Sequence, residues 1–369
     1  MPSRARVRSV AHKFVLSPSL PDNSGIKRSP KARPRSVRQN SAPETDARLG
    51  RIIRVLMSYP TVVISGTKLA QEIKTTRSEV WRLVQSLRTL GVEIEGHPSS
   101  GYQLTAVPDL LLPEMLQPAL RGTIFASNIH HYYRAGSTNT IALEDAAGGA
   151  PEGSIYLAEQ QTAGRGRGNN TWHSAESTGI YCSVILRPNL PPSDVLVLTL
   201  ATGLAVRNAI QEIDSRALAD LKWPNDLLIS GKKVCGILTE MSSEATRVRH
   251  IVVGIGLNVN HADFPAELEP IATSLRMTTG TEWSRIELCA ALLKSLDREY
   301  KNLLAGPESH ADILRRFEQH SSSARGREIF IEENPELRGI TEGLDDRGFL
   351  RIRTREGLKP IYSGTVRFK

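Results

Sequence analysis

Apolar and polar positions in the first well-patterned part of the chain predict three short helices and a hairpin. Apolar residues from Leu49 to Met57 recur at the spacing of one helical face. Ser65 is placed to cap a second helix, Gly66 to Ile73, and Thr76 to cap a third helix that runs to Leu90. The segments VEIE and YQL follow on either side of the polar turn HPSSG, which predicts a two-stranded hairpin.

The third predicted helix has two chemically different faces. Its apolar stripe consists of Val80, Leu83, Val84, Leu87 and Leu90, and its other face carries Arg77, Ser78, Trp81, Arg82, Gln85 and Arg88. Helix, turn, helix and hairpin in this order resemble a winged helix–turn–helix domain, whose polar face reads DNA in the major groove. The residues that we expect to contact DNA are Arg77, Ser78, Trp81, Arg82 and Gln85. The carboxylate of Glu79 and the outward Trp81 leave open a module that only docks a protein.

Longer apolar segments then predict alternating strands and helices. The clearest strands are Ser154 to Glu159, Gly179 to Leu186 and His250 to Asn260. One predicted helix follows Asn139, and a long apolar helix is capped by Ser193 or Asp194 and runs to about Ile213. Two further helices are predicted at Ser284 to Leu304 and His310 to Gln319. The turn Ser137, Thr138 and Asn139 is by itself typical of a helix cap. From Arg327 onward short strands alternate with turns over the length of a small SH3-like barrel.

The strand that ends at Glu159 leads into a glycine- and arginine-rich loop, QQTAGRGRGNNTWHS, from Gln160 to Ser174. Its three glycines, at positions 164, 166 and 168, let backbone N–H groups approach a ligand closely. Arg165 and Arg167 supply fixed positive charge whose fork geometry suits phosphate or carboxylate oxygens. The loop therefore predicts a lid over an anionic, aromatic-bearing ligand such as a nucleotide. A disordered stretch that touches RNA is the alternative.

A second informative stretch, KWPNDLLISGKKVCGILTE, spans Lys222 to Glu240. The dipeptide SG before KK predicts a hairpin turn between two strands. Asn225 and Asp226 then lie in an open turn, and Lys233 follows the bend on a half-buried strand, where a lysine needs an anionic partner. Taken alone, the two lysines would also suit an ordinary solvated hairpin tip.

The net charge of +8 belongs to the N-terminal segment. Residues 1–48 contain eleven Lys or Arg and three acidic residues, and the rest of the chain carries 36 of each sign. Because this segment is rich in Arg, Ser and Pro, we expect a disordered basic tail; a weak resemblance to an organelle transit peptide is the alternative. No apolar stretch of about 18 residues predicts a membrane span. Three isolated cysteines favour a reducing compartment, for which the cytoplasm fits best.

Four motifs occur in one order: STN at 137–139, QQTAGRGRG before a tryptophan, KWPND with GKK and GIL, and VVGIGLNVN. In this order and spacing they resemble biotin–protein ligases, and with the winged helix the chain resembles the bifunctional form that also represses transcription. The similarity covers residues 49–369. It implies an α+β fold after the tail (1–48): winged helix–turn–helix (49–106), linker (107–122), class II synthetase-like α/β catalytic domain with a mixed sheet (123–322) and SH3-like small β-barrel (323–369).

The resemblance implies a two-step, ATP-dependent reaction. Biotin's carboxylate is first joined to AMP, and biotin then passes to one lysine on the biotin carrier domain of a biotin-dependent carboxylase. Mg²⁺ is implied as an ion carried by ATP rather than held in a protein metal site. Operator DNA is the second implied partner, bound by a homodimer that forms when ligand is present.

The resemblance also assigns roles to individual residues. The implied biotin-binding residues are Ser137, Thr138, Asn139, Gln161, Gly164, Arg165, Lys233 and Gly236. The residues implied to bind ATP or the adenylate are Arg165, Arg167, Trp172, Asn225 and Asn258. The implied catalytic residues are Lys233, Arg165, Arg167 and Asp226, the last as acceptor of the incoming lysine's proton. Lys359 and Arg367 are implied to face the edge of the site, although the C-terminal domain could be a purely structural cap.

The loop departs from the family pattern at Gly168, Asn169, Asn170 and Thr171, where further basic residues and one glycine are usual. His173 and Ala175 also replace commoner neighbours. Fewer positive charges predict weaker contacts to the ATP phosphates or poorer retention of the intermediate. A biotin sensor with weak catalysis and a ligase with a vestigial winged helix therefore remain as alternatives. A lipoate ligase is disfavoured by the KWPND and GKK run.

Overall fold

The N-terminal module contains three helices and a hairpin, as predicted. The computed structural model describes residues 42–368 apart from residues 90, 98–99, 107–108, 169 and 245–246. The elements of the module are α1 (Ala42–Ser58), α2 (Gly66–Glu72), α3 (Arg77–Thr89), β1 (Ile94–His97) and β2 (Gly101–Leu104). The Ser65 side chain caps α2 by accepting a hydrogen bond from the Lys68 N–H at 3.2 Å. Thr76 caps α3 in the same way, with the Glu79 N–H as donor at 3.2 Å.

The first helix of this module begins earlier than predicted. Helix α1 begins at Ala42 rather than Leu49, so the last part of the expected disordered tail is helical. A proline and two acidic residues follow Ala42 in the sequence, and this composition favours a helix start. The remainder of the expected tail, and Leu90 of the apolar stripe, lie outside the described residues. The other members of the stripe are fully buried, namely Val80, Leu83, Val84 and Leu87.

The segment expected to be a linker is packed against both neighbouring domains. It contains the short helix α4 (Pro113–Leu116). Leu110 and Leu112 belong to the core of the N-terminal module, whereas Leu111 belongs to the core of the central domain. Consecutive residues of an extended chain point to opposite sides, so three leucines in a row reach two different cores. The connection is therefore fixed rather than free.

The central domain is built on a seven-stranded mixed sheet, as expected. Its strands are β3 (Ile129–Ala135), β4 (Ile155–Gln161), β5 (Gly179–Leu186), β6 (Asp220–Lys222), β7 (Asp226–Ile229), β8 (Lys232–Ser243) and β9 (Val248–Asn258). The order is β3-β4-β5-β9-β8-β7-β6, in which only β3 and β4 pair in parallel. The predicted SG turn joins β7 to β8, with Ser230 and Gly231 both at positive φ.

Helices cover both faces of this sheet. They are α5 (Thr138–Ala147), α6 (Val195–Ile213), α7 (Leu275–Thr279), α8 (Arg285–Leu304) and α9 (Pro307–Gln319). Alternate strand residues pack in a small core with α5, namely Tyr156, Ile185 and Val252. The intervening positions belong to the large core with α6 and α8, namely Ile155, Val184 and Val253. Ser183 and Gly254 therefore share the α5 face, since each lies two positions from a residue of the small core.

Helix α6 lies in the core of the central domain. The segment Pro192–Ile213 is the one helix in the described part of the chain that is long and apolar enough to cross a membrane. Since 67% of its most apolar window is buried inside the protein, its composition is typical of a core helix. Asp194 occupies the predicted N-cap position, but its side chain makes no capping hydrogen bond.

The C-terminal domain is a five-stranded antiparallel sheet of the expected SH3-like type. Its strands are β10 (Arg325–Ile331), β11 (Asn334–Leu344), β12 (Leu350–Thr354), β13 (Gly357–Ile361) and β14 (Val366–Phe368), in the order β13-β12-β11-β10-β14. The last predicted strand segment is divided in two by a turn that contains Gly364, at φ 125°. Trp223 Nε1 donates to the Gly348 carbonyl at 2.9 Å and so ties this domain to the central sheet.

Candidate functional site

Most residues predicted for the site line one open cleft on the α5 face of the sheet. The cleft encloses about 440 Å³, including the space at its mouth. The predicted residues that line it are Ser137, Thr138, Asn139, Gln161, Arg165, Arg167, Trp172, Asn225, Lys233 and Gly236. Residues that are far apart in the sequence meet here because β4, β5, β9 and β8 are neighbours in the sheet. Gly164, Asp226 and Asn258 lie beside the cleft rather than in its lining.

The floor of the cleft consists of two successive residue pairs of β8 and β9, which we call rungs, and a third rung continues the same face just beyond the lining. The first rung is Gly236 with Gly256, the second Leu238 with Gly254, and the third Glu240 with Val252. Because each rung is two residues from the next, neighbouring rungs are about 7 Å apart along the strands. The rungs give the cleft a direction, from the end near Lys233 to the end near Glu240.

Glycines on the floor leave space that neighbouring side chains occupy. A Cβ atom at Gly254 would lie 2.1 Å from Asn139 Oδ1. A Cβ at Gly256 would lie 2.5 Å from the Trp172 indole, and one at Gly236 would lie 2.9 Å from the same ring. Any larger residue at these positions would therefore push a site residue out of place.

The first turn of α5 is tied to the floor and the loop by a chain of hydrogen bonds. The Thr138 N–H donates to Gln161 Oε1, and Gln161 Nε2 donates to Ser174 Oγ, both at 2.9 Å. The Ser183 hydroxyl lies 2.8 Å from Thr138 Oγ1 and 2.7 Å from Asn139 Oδ1. Ser174 and Ser183 were missed in the sequence; for Ser183 the available signal was a serine in the apolar strand GIYCSVIL.

Ser137 distinguishes a ligand-binding turn from an ordinary helix cap. It occupies the N-cap position of α5, but its side chain makes no capping hydrogen bond. Ser137, Thr138 and Asn139 are all buried at the cleft. Buried polar groups need hydrogen-bond partners, so this arrangement favours recognition of a polar ligand over helix capping alone.

The described residues of the glycine- and arginine-rich loop, 162–168 and 170–174, fold over the cleft as a short hairpin, which we call the lid. Arg165 and Thr171 form an isolated antiparallel bridge, and the Trp172 N–H donates to the Gly164 carbonyl at 2.9 Å. Gly168 lies at the tip with φ 66°, a left-handed conformation that favours glycine. The hairpin turn thus gives a structural reason for glycine where the family pattern has a basic residue.

One end of the cleft, which we call the cationic end, is formed by Lys233 and its neighbours. Lys233 Nζ lies 2.6 Å from an Asp226 carboxylate oxygen and 5.4 Å from the centre of a Trp172 ring. Asp226 is therefore the anionic partner that the sequence required for this lysine. Lys222, which was not predicted as a site residue, is close by: burial lowers its pKa, Asp226 opposes that shift, and the charges of Arg367 and Lys233 add to it.

Arg165, which was predicted to bind both biotin and the adenylate, points to the end of the cleft opposite Lys233. Its two terminal nitrogens donate to the Glu240 carboxylate at 2.9 and 2.7 Å, on the third rung. A bidentate arginine–carboxylate pair is among the stronger hydrogen-bonded contacts in proteins. The sequence did not reveal this partner, because Glu240 ends a strand pattern and lies 75 residues away.

The two asparagines predicted to bind ATP or the adenylate donate hydrogen bonds to backbone carbonyls. Asn258 Nδ2 donates to the Thr273 carbonyl at 3.1 Å. The Asn258 side chain is buried beside the cleft and is not among the described residues that line it. Asn225 does line the cleft, and its Nδ2 donates to the Ile237 carbonyl at 2.8 Å. Asn258 is thus placed to support the loop at Thr273, whereas Asn225 is placed in the lining of the cleft.

The C-terminal domain contacts the lid through its backbone. Arg167 donates a hydrogen bond to the Gly364 carbonyl. Lys359, which was expected at the edge of the site, pairs with a carboxylate of its own hairpin. Arg367 pairs with Glu332, although its charge also acts on Lys222. This domain therefore contacts the lid and acts on the cationic end through the charge of Arg367.

The polar face of α3 is exposed, as expected for a DNA-reading helix. Trp81 is 58% exposed, and Arg77, Ser78 and Arg82 are also exposed, with Gln85 half-buried. Arg82 donates to Glu79 at 2.9 and 2.6 Å, so the acidic residue neutralises one of the predicted contacts. Arg88 donates to the Ile94 carbonyl at 3.0 and 2.8 Å and thus supports the hairpin.

Comparison with known proteins agrees with this architecture. Residues 132–258 match the biotin/lipoate A/B protein ligase family, residues 48–103 a helix–turn–helix domain and residues 326–369 the biotin protein ligase C-terminal domain. The bifunctional ligase/repressor BirA of Bacillus subtilis (strain 168) is 36% identical over 82% of this chain and 93% of its own length. The biotin–[acetyl-CoA-carboxylase] ligase of Mycobacterium tuberculosis is 35% identical over 59% of this chain and 80% of its own length.

A solved structure shows the same fold. The biotin protein ligase from Aquifex aeolicus in complex with biotin and ATP is 32% identical and covers 66% of this chain and 100% of that chain, with a TM-score of 0.57. Fold and site together define a ligase that carries its own helix–turn–helix domain. The chain belongs to the biotin/lipoate A/B protein ligase family, and its similarity to the bifunctional ligase/repressors spans both domains. The family and fold class predicted from the four motifs are confirmed.

Proposed function

We propose that the chain is an ATP-dependent biotin–protein ligase, which forms biotinyl-5′-AMP and transfers biotin to a specific lysine of a biotin carrier domain. The observation that carries this proposal is the cleft, where a polar helix start, a glycine floor and a lysine–carboxylate pair lie under one lid. Biotin is a long molecule with a polar bicyclic head and a carboxylate tail. Such a ligand fits a cleft with neutral hydrogen-bonding groups in its middle and cations at one end.

We assign the biotin head group to the part of the cleft formed by Ser137, Thr138 and Gln161. A cyclic urea needs both donors for its carbonyl oxygen and acceptors for its two N–H groups. The hydroxyl and amide side chains of this region supply both kinds of group. Gly164 lets the two sides of the lid hairpin pack closely beside this region, because a Cβ there would lie 2.5 Å from the Trp172 carbonyl oxygen.

The first proposed step joins two anions. A biotin carboxylate oxygen attacks the α-phosphorus of ATP, the bond from that phosphorus to the bridging oxygen breaks, and pyrophosphate leaves. Lys233 and Arg167 would offset the negative charge on the two reactants. Lys233 is held 2.6 Å from Asp226 before substrates arrive, so its ammonium group is already fixed at the cationic end. Trp172 and Asn225 line the same end and are our candidates for contact with adenine.

Mg²⁺ is proposed as an ion that ATP brings to the site. No group of three or more His, Cys, Asp or Glu side chains suited to a metal occurs in the described part of the chain. In this proposal the ligands of the ion are mainly phosphate and water oxygens. Its charge would help to neutralise the phosphates near Lys233.

In the second proposed step the ε-amine of the carrier lysine attacks the acyl carbonyl carbon, AMP leaves, and the amine loses a proton. Asp226 is our candidate acceptor for this proton, since its carboxylate lies at the cationic end beside Lys233. Water would hydrolyse the acyl-adenylate, so a lid that covers it protects the intermediate. The Trp172 indole on the first rung gives the lid an apolar inner surface.

Replacing Lys233 with alanine is expected to lower biotin-dependent exchange between ATP and pyrophosphate by about 10² to 10³-fold, because a charge fixed for the transition state is lost. The neighbouring Lys232→Ala variant is the matched control. Lys232 donates to the Glu269 carbonyl at the surface and should keep exchange within about twofold of the parent chain.

Two outcomes of the exchange assay would contradict the proposal. A parent chain that binds biotin without exchange would be a sensor with weak catalysis. Exchange that responds to lipoate rather than to biotin would make the chain a lipoate ligase. Transfer of labelled biotin to a purified carrier domain then tests the second step separately.

We further propose that the chain is a biotin-responsive repressor, in which a ligand-bound homodimer places two winged helices on operator DNA. The exposed polar face of α3 and the helix–turn–helix match support this role. Dimerisation through the catalytic sheet would let ligand binding under the lid control the spacing of the two α3 helices.

The Arg77→Ala variant tests the DNA-reading face. We expect operator affinity to fall about tenfold and the slope of log K against log salt to fall by about 1, because one phosphate contact is lost. Arg54→Ala is the control, since Arg54 pairs with Glu114 of α4, away from α3. Binding is measured on selected palindromic duplexes with and without biotin and ATP. An operator affinity that does not change when biotin and ATP are added would show that the winged helix is vestigial.

We also propose that the protein works in the cytoplasm. Its three cysteines are free and buried. Burial raises the pKa of the Cys182 thiol to about 12, so this thiol stays protonated and unreactive near neutral pH. Free cysteines without a disulfide frame are typical of a reducing compartment.

A further inference from the structure

Glu240, on the third rung, is bonded to two elements of the site at once. Its Oε2 accepts from Arg165 Nη1 and from Asn139 Nδ2, both at 2.9 Å, and its Oε1 accepts from Arg165 Nη2 at 2.7 Å. One carboxylate therefore connects the lid to the first turn of α5. The Glu240 side chain is 26% exposed, so solvent screens these contacts only in part.

Glu240 also determines which way the Asn139 amide points. An ionised carboxylate can only accept, so the Asn139 NH₂ group must face Glu240, where the Leu238 carbonyl accepts a second bond at 3.3 Å. The amide oxygen then faces Ser183, whose hydroxyl donates to it at 2.7 Å. A glutamine at position 240 could present its own NH₂ group and permit the opposite orientation. The polarity of the hydrogen bonds around the head group thus depends on this carboxylate.

The third rung lies at the far end of the cleft from the cationic end. Gly236 and Glu240 are four positions apart on β8, which corresponds to about 13 Å along the strand. Lys233 and the Trp172 indole are at the first rung. A ligand whose carboxylate or phosphates reach Lys233 would therefore leave the Arg165–Glu240 pair undisturbed.

We propose that Glu240 is a positioning residue that fixes Asn139 for the biotin head group and holds the lid closed through Arg165. This inference rests on the proposed ligase function. The pair stays formed while biotin and then biotinyl-AMP occupy the cleft, because their negative charges lie at the other end. It holds a lid that has no basic residue between positions 168 and 171, where the family pattern has further charges.

The Glu240→Gln variant of the full chain tests this role. We expect the KM for biotin to rise about tenfold and biotinyl-AMP to escape about tenfold faster when no carrier is present, since charge-assisted bonds to the lid are lost. The KM for ATP should stay within about twofold. Glu240→Asp keeps the charge and should recover part of both losses, which a purely structural role would not produce.

Two further variants make the result specific. Glu244→Gln removes a carboxylate just beyond β8 that pairs with Arg249 on the surface at 2.8 Å, and it should leave all three quantities unchanged. Arg165→Gln combined with Glu240→Gln should lose no more biotin affinity than the weaker-binding single variant, because the two residues act as one pair.

The proposal would be overturned if Glu240→Gln raised the KM for ATP and left the KM for biotin unchanged. Arg165 would then serve the phosphates. Additive losses in the double variant would also overturn it. Direct titration with biotin separates this test from that of the ligase function. A parent chain without exchange contradicts the proposed reaction, whereas equal biotin affinity of the parent and Glu240→Gln contradicts the role of Glu240.

Discussion

Replacing Arg285 with alanine is expected to lower the free energy of unfolding by about 3–5 kcal/mol, because it leaves a buried carboxylate without its cation. Arg285 is fully buried at the start of α8. Its Nη1 donates to Glu159 Oε2 and its Nε to Asp109 Oδ2, both at 2.8 Å. Glu159 also accepts from the Leu111 N–H and bonds to His131, both at 2.9 Å. One buried charge thus joins α8, β4 and the connection to the N-terminal module.

The same cluster predicts a dependence of stability on pH. Burial would raise the pKa of Glu159, but the charge of Arg285 and the hydrogen bonds from His131 and Leu111 outweigh it and hold the pKa at about 2. This value is below the ordinary 4.5. The carboxylate therefore stabilises the fold fully above about pH 4.5, and this contribution is lost as the pH falls toward 2. In the Arg285→Ala variant the charge of Arg285 no longer opposes the effect of burial on the pKa of Glu159. The free energies of unfolding of the variant and the parent chain should therefore become similar at low pH.

Thermal and urea unfolding between pH 7 and pH 3 measure both effects. Arg249→Ala is the control, because Arg249 forms an exposed pair with Glu244 and should change the unfolding free energy by at most about 1 kcal/mol. Arg285→Ala combined with Glu159→Gln should recover part of the loss, since the unpaired charge is removed. Equal stability of Arg285→Ala and the parent chain, or no recovery in the double variant, would contradict this account of the cluster.

The lid and the floor could be predicted from the sequence because their chemistry is local. Alternating glycines and arginines indicate close backbone approach and positive charge wherever the loop lies. The SG turn before Lys233 indicates which strand carries the lysine and predicts an anionic partner. Asp226 fulfils that prediction from the strand on the other side of the same hairpin. Hydrophobic periodicity predicted most helices and strands for the same reason, because it depends only on neighbouring positions in the sequence.

Contacts between charged residues that are far apart in the sequence could not be predicted. Arg285 begins a helix whose pattern is simply amphipathic, and an arginine there is normally exposed. Its burial follows from partners 126 and 176 residues away in the sequence. The position of Glu240 at the site likewise follows from its partner Arg165, 75 residues away in the sequence. A motif identifies the residue types at a site, but the fold decides which of them meet.

Gly254 carries a large expected effect on the reaction. A Cβ atom at this position would lie 2.1 Å from Asn139 Oδ1, a distance at which one of the two must move. Asn139 is held by Ser183, Leu238 and Glu240, so its displacement would disturb the whole polar surface that faces the head group. Gly256 differs, because the atom opposite it belongs to Trp172 of the lid, which can move outward.

Gly254→Ala is therefore expected to lower biotin-dependent ATP–pyrophosphate exchange by about 10²-fold, because a shift of about 1 Å in a substrate-positioning group has a cost of that order. Gly256→Ala should spare biotin affinity and speed escape of the intermediate. Gly136→Ala is the control: it precedes Ser137 directly, yet nothing lies within 4 Å of its Cβ. Parent-like exchange by Gly254→Ala, with unfolding also unchanged, would show that Asn139 has no fixed place in biotin recognition.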